Sequence, residues 1–142
     1  MSSRNTKIVI DILMTIFLIL SFVRWEGSAT FHIIVGTACA LFFSIHVCIH
    51  RKWLKAVTES FLAGKVNKKI KGKYIIDVLL LAVWAIAIIT GFLAIGPYIA
   101  GIERSVFGRL HGVSARVGLL LIIVHIVQHR SNIIAYVKGK TK

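Results

Sequence analysis

The stretch HIIVGTACALFFSIHVCIH, from His32 to His50, decides the fold because it is long and apolar enough to cross a bilayer and yet carries three histidines. A second stretch, HGVSARVGLLLIIVHIVQH from His111 to His129, repeats the spacing: thirteen residues separate the first two histidines and three separate the last two. These two stretches hold all six histidines of the chain. Since about 20 apolar residues span a hydrocarbon core as a helix, we predict a transmembrane helix in each.

Four apolar runs, at about 8–23, 31–50, 74–95 and 110–129, account for most of the chain. Of the 142 residues, 57% are hydrophobic, and the mean hydropathy of +0.83 is too high for an ordinary soluble domain. A backbone inside hydrocarbon must satisfy its own hydrogen bonds, which favours helices. We therefore predict an all-α membrane protein in which residues 1–142 form a single domain, a bundle of four transmembrane helices.

The two halves of the chain align with each other. KIVIDILM at 7–14 matches KYIIDVLL at 73–80 with an offset of 66 residues, and IHVCIHR at 45–51 matches VHIVQHR at 124–130 with an offset of 79. Each half is therefore expected to be a helical hairpin, with an outer loop that is 13 residues longer in the second half. Helices 2 and 4 then run in the same direction. The repeat also favours a retained first helix over a cleaved signal peptide.

The net charge of +13 is concentrated at three places. Lys and Arg crowd the N-terminus, residues 51–73 and the C-terminal tail, the last with Arg130, Lys138, Lys140 and Lys142. The connections near 24–30 and 96–109 carry Arg24, Arg104 and Arg109, partly balanced by Glu26 and Glu103. By the positive-inside rule, both termini and the long basic connection are cytoplasmic. We expect this charge to face anionic lipid headgroups rather than nucleic acid.

The histidine spacing predicts two levels of ligands. Fourteen helical positions correspond to about 21 Å of rise and about 40° of angular drift, so His32 and His46 point to one side at two depths, as do His111 and His125. Ionisable residues are costly inside a bilayer and usually functional. We therefore predict two haem b groups, with His32 and His111 ligating the outer iron and His46 and His125 the inner iron. A structural hydrogen-bonding role is the simpler alternative.

The third histidine of each helix leaves several interpretations open. His50 lies five full turns from His32, so by angle it could replace His46 as the inner ligand, and His129 could replace His125. Both lie near the interface, where they could instead bind a haem propionate or face the headgroups. The closely spaced pairs on each helix could also bind zinc, although zinc needs four convergent ligands.

Four charged side chains near these helices have two interpretations each. Arg116 lies inside an apolar run and is expected either to pair with a haem propionate or to reach outward to the interface. Arg109 is a solvated loop residue or a second partner of the outer propionates. Asp11 and Asp77 begin helices 1 and 3, where a helix N-terminus stabilises a carboxylate. A role in proton or quinol chemistry is the alternative for the two aspartates.

These features resemble the flavinylation-associated cytochromes, small four-helix di-haem b proteins of prokaryotic membranes. The resemblance covers nearly the whole chain. It rests on the following residues: His32 with Gly36, His46, Arg51-Lys52-Trp53-Leu54-Lys55, Thr90-Gly91, Leu110-His111, and His125 with His129. The family often has Asn where this chain has His50, which favours His46 as the inner ligand. The chain departs from the family at Ile33, where an acidic residue is common, and in lacking an aromatic residue after His129.

The resemblance implies a multi-pass cytochrome of the prokaryotic inner (cytoplasmic) membrane that transfers electrons from quinol to an extracytoplasmic flavoprotein. Nothing in the spacing itself identifies a quinol site or a flavin partner. Three other functions stay open at this point. They are a haem-bearing anchor subunit of a larger redox complex, a superoxide or quinone oxidoreductase, and a non-haem metal-binding transport protein.

Overall fold

The computed structural model describes residues 3–23, 29–102 and 105–137. Four α-helices make up this part of the chain, and it contains no strand: α1 Ser3–Phe22, α2 Ala29–Leu62, α3 Lys68–Ile99 and α4 Val106–Val137. The predicted all-α fold with four long apolar helices is confirmed. Several residues used for the charge pattern lie outside the described ranges: Arg24, Glu26, Glu103, Arg104, Lys138, Lys140 and Lys142.

All four helices are long and apolar enough to cross a membrane. Their surfaces carry large apolar side chains, and Ile19, Ile34 and Leu120 are each at least 60% exposed. Such extensive apolar exposure is unfavourable in water and normal in lipid. The chain therefore has the construction of a multi-pass membrane protein, with most of its apolar surface available to acyl chains.

The basic connection between α2 and α3 is mostly helical rather than a loop of residues 51–73. Residues 51–62 contain no Gly or Pro, so α2 continues to Leu62, and Lys55 lies 3.9 Å from Glu59 one turn further along. The reversal occurs at Gly64, whose φ of +68° lies in the left-handed region that glycine adopts without strain. Asn67 then caps α3 by accepting a hydrogen bond from the Ile70 amide at 2.9 Å.

The far end of α3 also extends beyond its expected limit. The apolar run was predicted to end near residue 95, but α3 includes Pro97 and continues to Ile99. The stop is Gly101, which has a φ of +76° and forms a Schellman ending in which the Ile102 amide donates to the Pro97 carbonyl at 2.9 Å. With the offset of 66 residues, Phe22 at the end of α1 corresponds to Ile88, and α3 continues for eleven residues beyond it to Ile99. Most of the 13 extra residues of the second half are therefore helix, not loop.

The chain divides into two compact units, residues 1–59 and 60–142. The predicted single domain is not tested by this division. In the first unit α1 packs against α2, with the rings of Phe17 and Phe42 stacked at 5.3 Å. In the second unit α3 packs against α4, where Gly118 is buried beneath Trp84. Each unit is thus built around one helical hairpin, as the internal repeat predicts.

Gly118 allows the close approach of α4 to α3, since a Cβ there would lie 3.1 Å from the Trp84 Nε1. We predict that Gly118→Ala destabilises the protein by about 1–3 kcal/mol through overpacking. The matched control is Gly96→Ala, since a Cβ at Gly96 meets no atom within 4 Å. The control should gain up to about 1 kcal/mol from lower backbone entropy. Unfolding of the detergent-solubilised variants measures both, and equal effects would contradict this packing.

Candidate functional site

In the first hairpin, two histidines of α2 are hydrogen-bonded to oxygens of α1. The His46 Nδ1 lies 2.6 Å from the Asp11 Oδ1. The His32 Nδ1 lies 3.0 Å from the backbone oxygen of Ser21. Because the two helices are antiparallel, the first pair lies toward the basic end of the hairpin and the second toward the opposite end. The two predicted ligand positions of this hairpin are therefore both held from α1.

The second hairpin repeats this arrangement between α3 and α4. The His125 Nδ1 lies 2.7 Å from the Asp77 Oδ1, and the His111 Nδ1 lies 2.8 Å from the backbone oxygen of Ala87. Both acceptors follow their counterparts in the first hairpin by 66 residues, and both histidines follow theirs by 79. The duplication therefore includes the acceptors of the four histidines as well as the histidines themselves.

These hydrogen bonds determine which ring nitrogen is available for ligation. A carbonyl or carboxylate oxygen accepts only, so each histidine must carry its proton on Nδ1 and donate it. A neutral imidazole in this tautomer has its lone pair on Nε2. Metal-ligating histidines usually donate their second ring nitrogen to a carboxylate or backbone carbonyl in this way. The four histidines therefore share one tautomer preference, with the proton on Nδ1.

Asp11 and Asp77 do not lie at helix N-termini, and that interpretation was wrong. Asp11 is the ninth residue of α1 and Asp77 the tenth of α3, well beyond the first turn on which a helix dipole acts. The expectation failed because both helices begin earlier than their apolar runs. The carboxylates are instead partners of His46 and His125, which the KIVID and KYIID segments could have indicated through their repetition.

His50 and His129 lie beside these pairs. Their rings are 4.6 Å, centroid to centroid, from those of His46 and His125 respectively. The His129 Nε2 is buried and lies 3.4 Å from the Asp77 Oδ2, without a hydrogen bond. In each hairpin one carboxylate oxygen and two imidazole nitrogens fall within 4.8 Å of one another, so each group could hold a metal ion.

The separations within these groups fit hydrogen bonds better than metal coordination. Two ligand atoms at about 2.0–2.1 Å from a tetrahedral zinc are about 3.3 Å apart. The carboxylate–imidazole separations of 2.6 and 2.7 Å are shorter and match a charge-assisted hydrogen bond. Asp11 and Asp77 would therefore have to move away from the imidazoles to admit an ion.

The His111 ring is seated against a glycine of α3. A Cβ at Gly91 would lie 3.0 Å from the ring's Nδ1 and 3.1 Å from its Cε1, so no larger residue fits without moving the ring. Thr90 beside it is buried and donates its hydroxyl to the Ile86 carbonyl at 2.6 Å. Gly91 of the Thr90-Gly91 motif therefore has a physical role in this hairpin, because it leaves room for the ring that donates to the Ala87 carbonyl.

The two predicted propionate partners lie on α4. Arg109 is exposed in the first turn of the helix. Arg116 is also exposed, and its Nε donates to the Gly112 carbonyl of its own helix at 3.0 Å. The propionate roles of Arg109 and Arg116 stay predictions, as do those of His50 and His129.

Gly36, which follows His32 in the family motif, has open space beside it in the first hairpin, since a Cβ there would meet no atom within 4 Å.

Comparisons with protein-family models, curated proteins and solved structures find no match for this chain. The likeness to the flavinylation-associated cytochromes therefore stays a prediction based on motifs. The physical basis for a function lies in the histidines and their acceptors.

The tautomer of these histidines can be measured without any cofactor. In ¹⁵N NMR of histidine-labelled apoprotein, we expect His32, His46, His111 and His125 to be protonated on Nδ1, because each faces an oxygen acceptor. Asp11→Ala should abolish this preference at His46 alone. The control Ser44→Ala removes a hydroxyl that bonds only within α2 and should change nothing. A wild-type His46 protonated on Nε2 would contradict the hydrogen bond to Asp11.

Proposed function

We propose that this chain is a di-haem b-type cytochrome that transfers electrons across a prokaryotic cytoplasmic membrane. One observation carries the proposal: four imidazoles in two repeated hairpins each donate Nδ1–H to an oxygen of the preceding helix. A histidine kept only for packing needs no such duplication. Ligation of a metal by Nε2 would explain all four hydrogen bonds, since a bond from Nδ1 fixes both the tautomer and the ring orientation of a ligating histidine.

The residues of the chain fit haem b in number and in chemistry. His32 and His111 would hold one haem, and His46 and His125 would hold the other. A bis-histidine haem provides reversible one-electron chemistry with no open coordination position. A histidine that ligates through Nε2 is neutral, so haem ligation would bury no imidazolium charge in the hydrocarbon. Within each helix the two levels are separated by about 21 Å of rise, which suits transfer of an electron from one side of the membrane to the other.

The charge distribution supports one orientation. The helical extensions from residue 51 to residue 73 carry eight Lys and Arg residues, which the positive-inside rule assigns to the cytoplasm. Both termini then lie on the same side, and His32 and His111 lie near the outer surface. The resemblance to the flavinylation-associated cytochromes adds a quinol as electron donor and an extracytoplasmic flavoprotein as acceptor.

Haem content separates the proposed ligands from their neighbours. We predict that His32→Ala and His46→Ala each remove one of the two haems, because each deletes an axial ligand. His111→Ala and His125→Ala should do the same. Replacing His50 or His129, the matched controls one turn from the inner ligands, should remove little haem. A pyridine haemochrome assay on the purified variants gives the haem content per chain. Full haem content in His46→Ala would show that His50 is the inner ligand.

A second function has its own supporting observation, the Asp–His–His groups of each hairpin. Such groups could bind a divalent cation for storage or transport. Metal analysis of the purified protein distinguishes the two functions. Cation binding requires His50→Ala and His129→Ala to lose metal, whereas His32→Ala would keep it. The cytochrome proposal predicts iron as haem and the reverse order of sensitivity.

A further inference from the structure

The oxygen acceptors of the four histidines differ in charge between the two ends of the hairpins. At the basic end, His46 and His125 donate to the carboxylates of Asp11 and Asp77, at 2.6 and 2.7 Å. At the opposite end, His32 and His111 donate to neutral backbone carbonyls, at 3.0 and 2.8 Å. This difference between a carboxylate and a carbonyl acceptor occurs in both hairpins, so it is part of the internal repeat and not a feature of one helix pair.

A carboxylate acts more strongly on a ligating imidazole than a carbonyl does. Hydrogen bonds to an ionised acceptor are shorter and roughly twice as strong as those between neutral groups. Through the shared Nδ1 proton, a carboxylate makes the imidazole a more basic ligand, which stabilises the more positive oxidation state of the metal. A neutral backbone carbonyl produces this effect only weakly. Ligand basicity thus differs between the two ends of the same hairpin.

Other charges near the two levels act more weakly than the two carboxylates. At the basic end, Arg51, Lys52 and Arg130 are exposed, and salt and headgroups screen them. Lys7 and Lys73 are partly buried, but a lysine chain carries its ammonium toward the polar boundary. The carboxylates act at hydrogen-bond distance and therefore dominate. At the opposite end, Arg116 is exposed as well, so its charge is screened in the same way.

We propose that Asp11 and Asp77 hold the haem at the basic end at a lower reduction potential than the haem at the opposite end. This inference rests on the proposed function, in which both haems are bound. One electron then passes downhill from the basic end to the opposite end: one iron is oxidised, the other is reduced, and no bond or proton is exchanged between them. With the basic end cytoplasmic, the favoured direction of electron transfer is outward.

Redox titration of the haem-loaded full chain tests this asymmetry. Asp11→Asn and Asp77→Asn keep a neutral oxygen acceptor of similar shape and remove the charge. We expect the double variant to raise the lower of the two potentials by at least the one-electron equivalent of a tenfold change in equilibrium constant, about 59 mV. The higher potential should stay in place. Each single variant should produce part of this shift, since each acts on one of the two axial ligands.

The matched control is Glu59→Gln, which removes a carboxylate from the exposed pair with Lys55 on α2. It should leave both potentials unchanged. Two bound haems with unshifted potentials in the double variant, or a shift of the higher potential instead, would overturn the inference and leave the cytochrome proposal intact. A wild-type protein that binds no haem would overturn the cytochrome proposal itself.

A second measurement applies if the Asn variants lose a haem. Low-temperature EPR of the wild type is recorded first between the two potentials, where only the haem of lower potential is ferric, and again after full oxidation. The difference between the two spectra reports the ligand field of the other haem. The haem of lower potential should show the stronger axial field that a carboxylate-bonded imidazole produces. Equal fields at the two haems would overturn the inference.

Discussion

The structure depends on the hydrogen bond by which a histidine of the second helix in each hairpin donates its Nδ1 proton to an oxygen of the first. In hydrocarbon an imidazole without a partner is costly, and a protonated imidazole is more so. An oxygen acceptor satisfies the N–H donor of the ring. It also places the proton on Nδ1, which leaves Nε2 as the nitrogen that would bind a metal in the proposed function.

The same interaction ties the two helices of a hairpin together where apolar packing cannot. Lipid tails are as apolar as Leu or Ile, so helices in a bilayer gain little from hydrophobic contact with one another. Few side chains are buried between the helices, among them Leu18 and Val35 in one hairpin and Ala87 in the other. Close approach at Gly91 and Gly118, together with the histidine hydrogen bonds, is what sets the register of α3 against α4.

Hydropathy predicted the four long apolar helices, because it depends directly on the length of an apolar run. The choice of His32, His46, His111 and His125 as ligands stays a prediction. Hydropathy underestimated the helices at the basic end. An apolar run ends where the lipid ends, whereas α2 continues to Leu62 until Gly64 allows the chain to turn. Because the predicted apolar run begins at residue 74, Asp77 was assigned to the start of a helix, whereas α3 begins at Lys68. The Ser21 and Ala87 acceptors could not be predicted at all, since every residue offers a backbone oxygen and only the packed hairpin selects one.

The central claim is that imidazole nitrogens hold iron from both sides at two levels of the membrane. Near-infrared magnetic circular dichroism of the oxidised wild-type protein tests it most directly, because the energy of the ligand-to-iron charge-transfer band identifies the axial pair. We predict that all of the haem in the protein gives the band of bis-histidine coordination. A band from any other axial pair, or a preparation that contains divalent metal and no haem, would contradict the account.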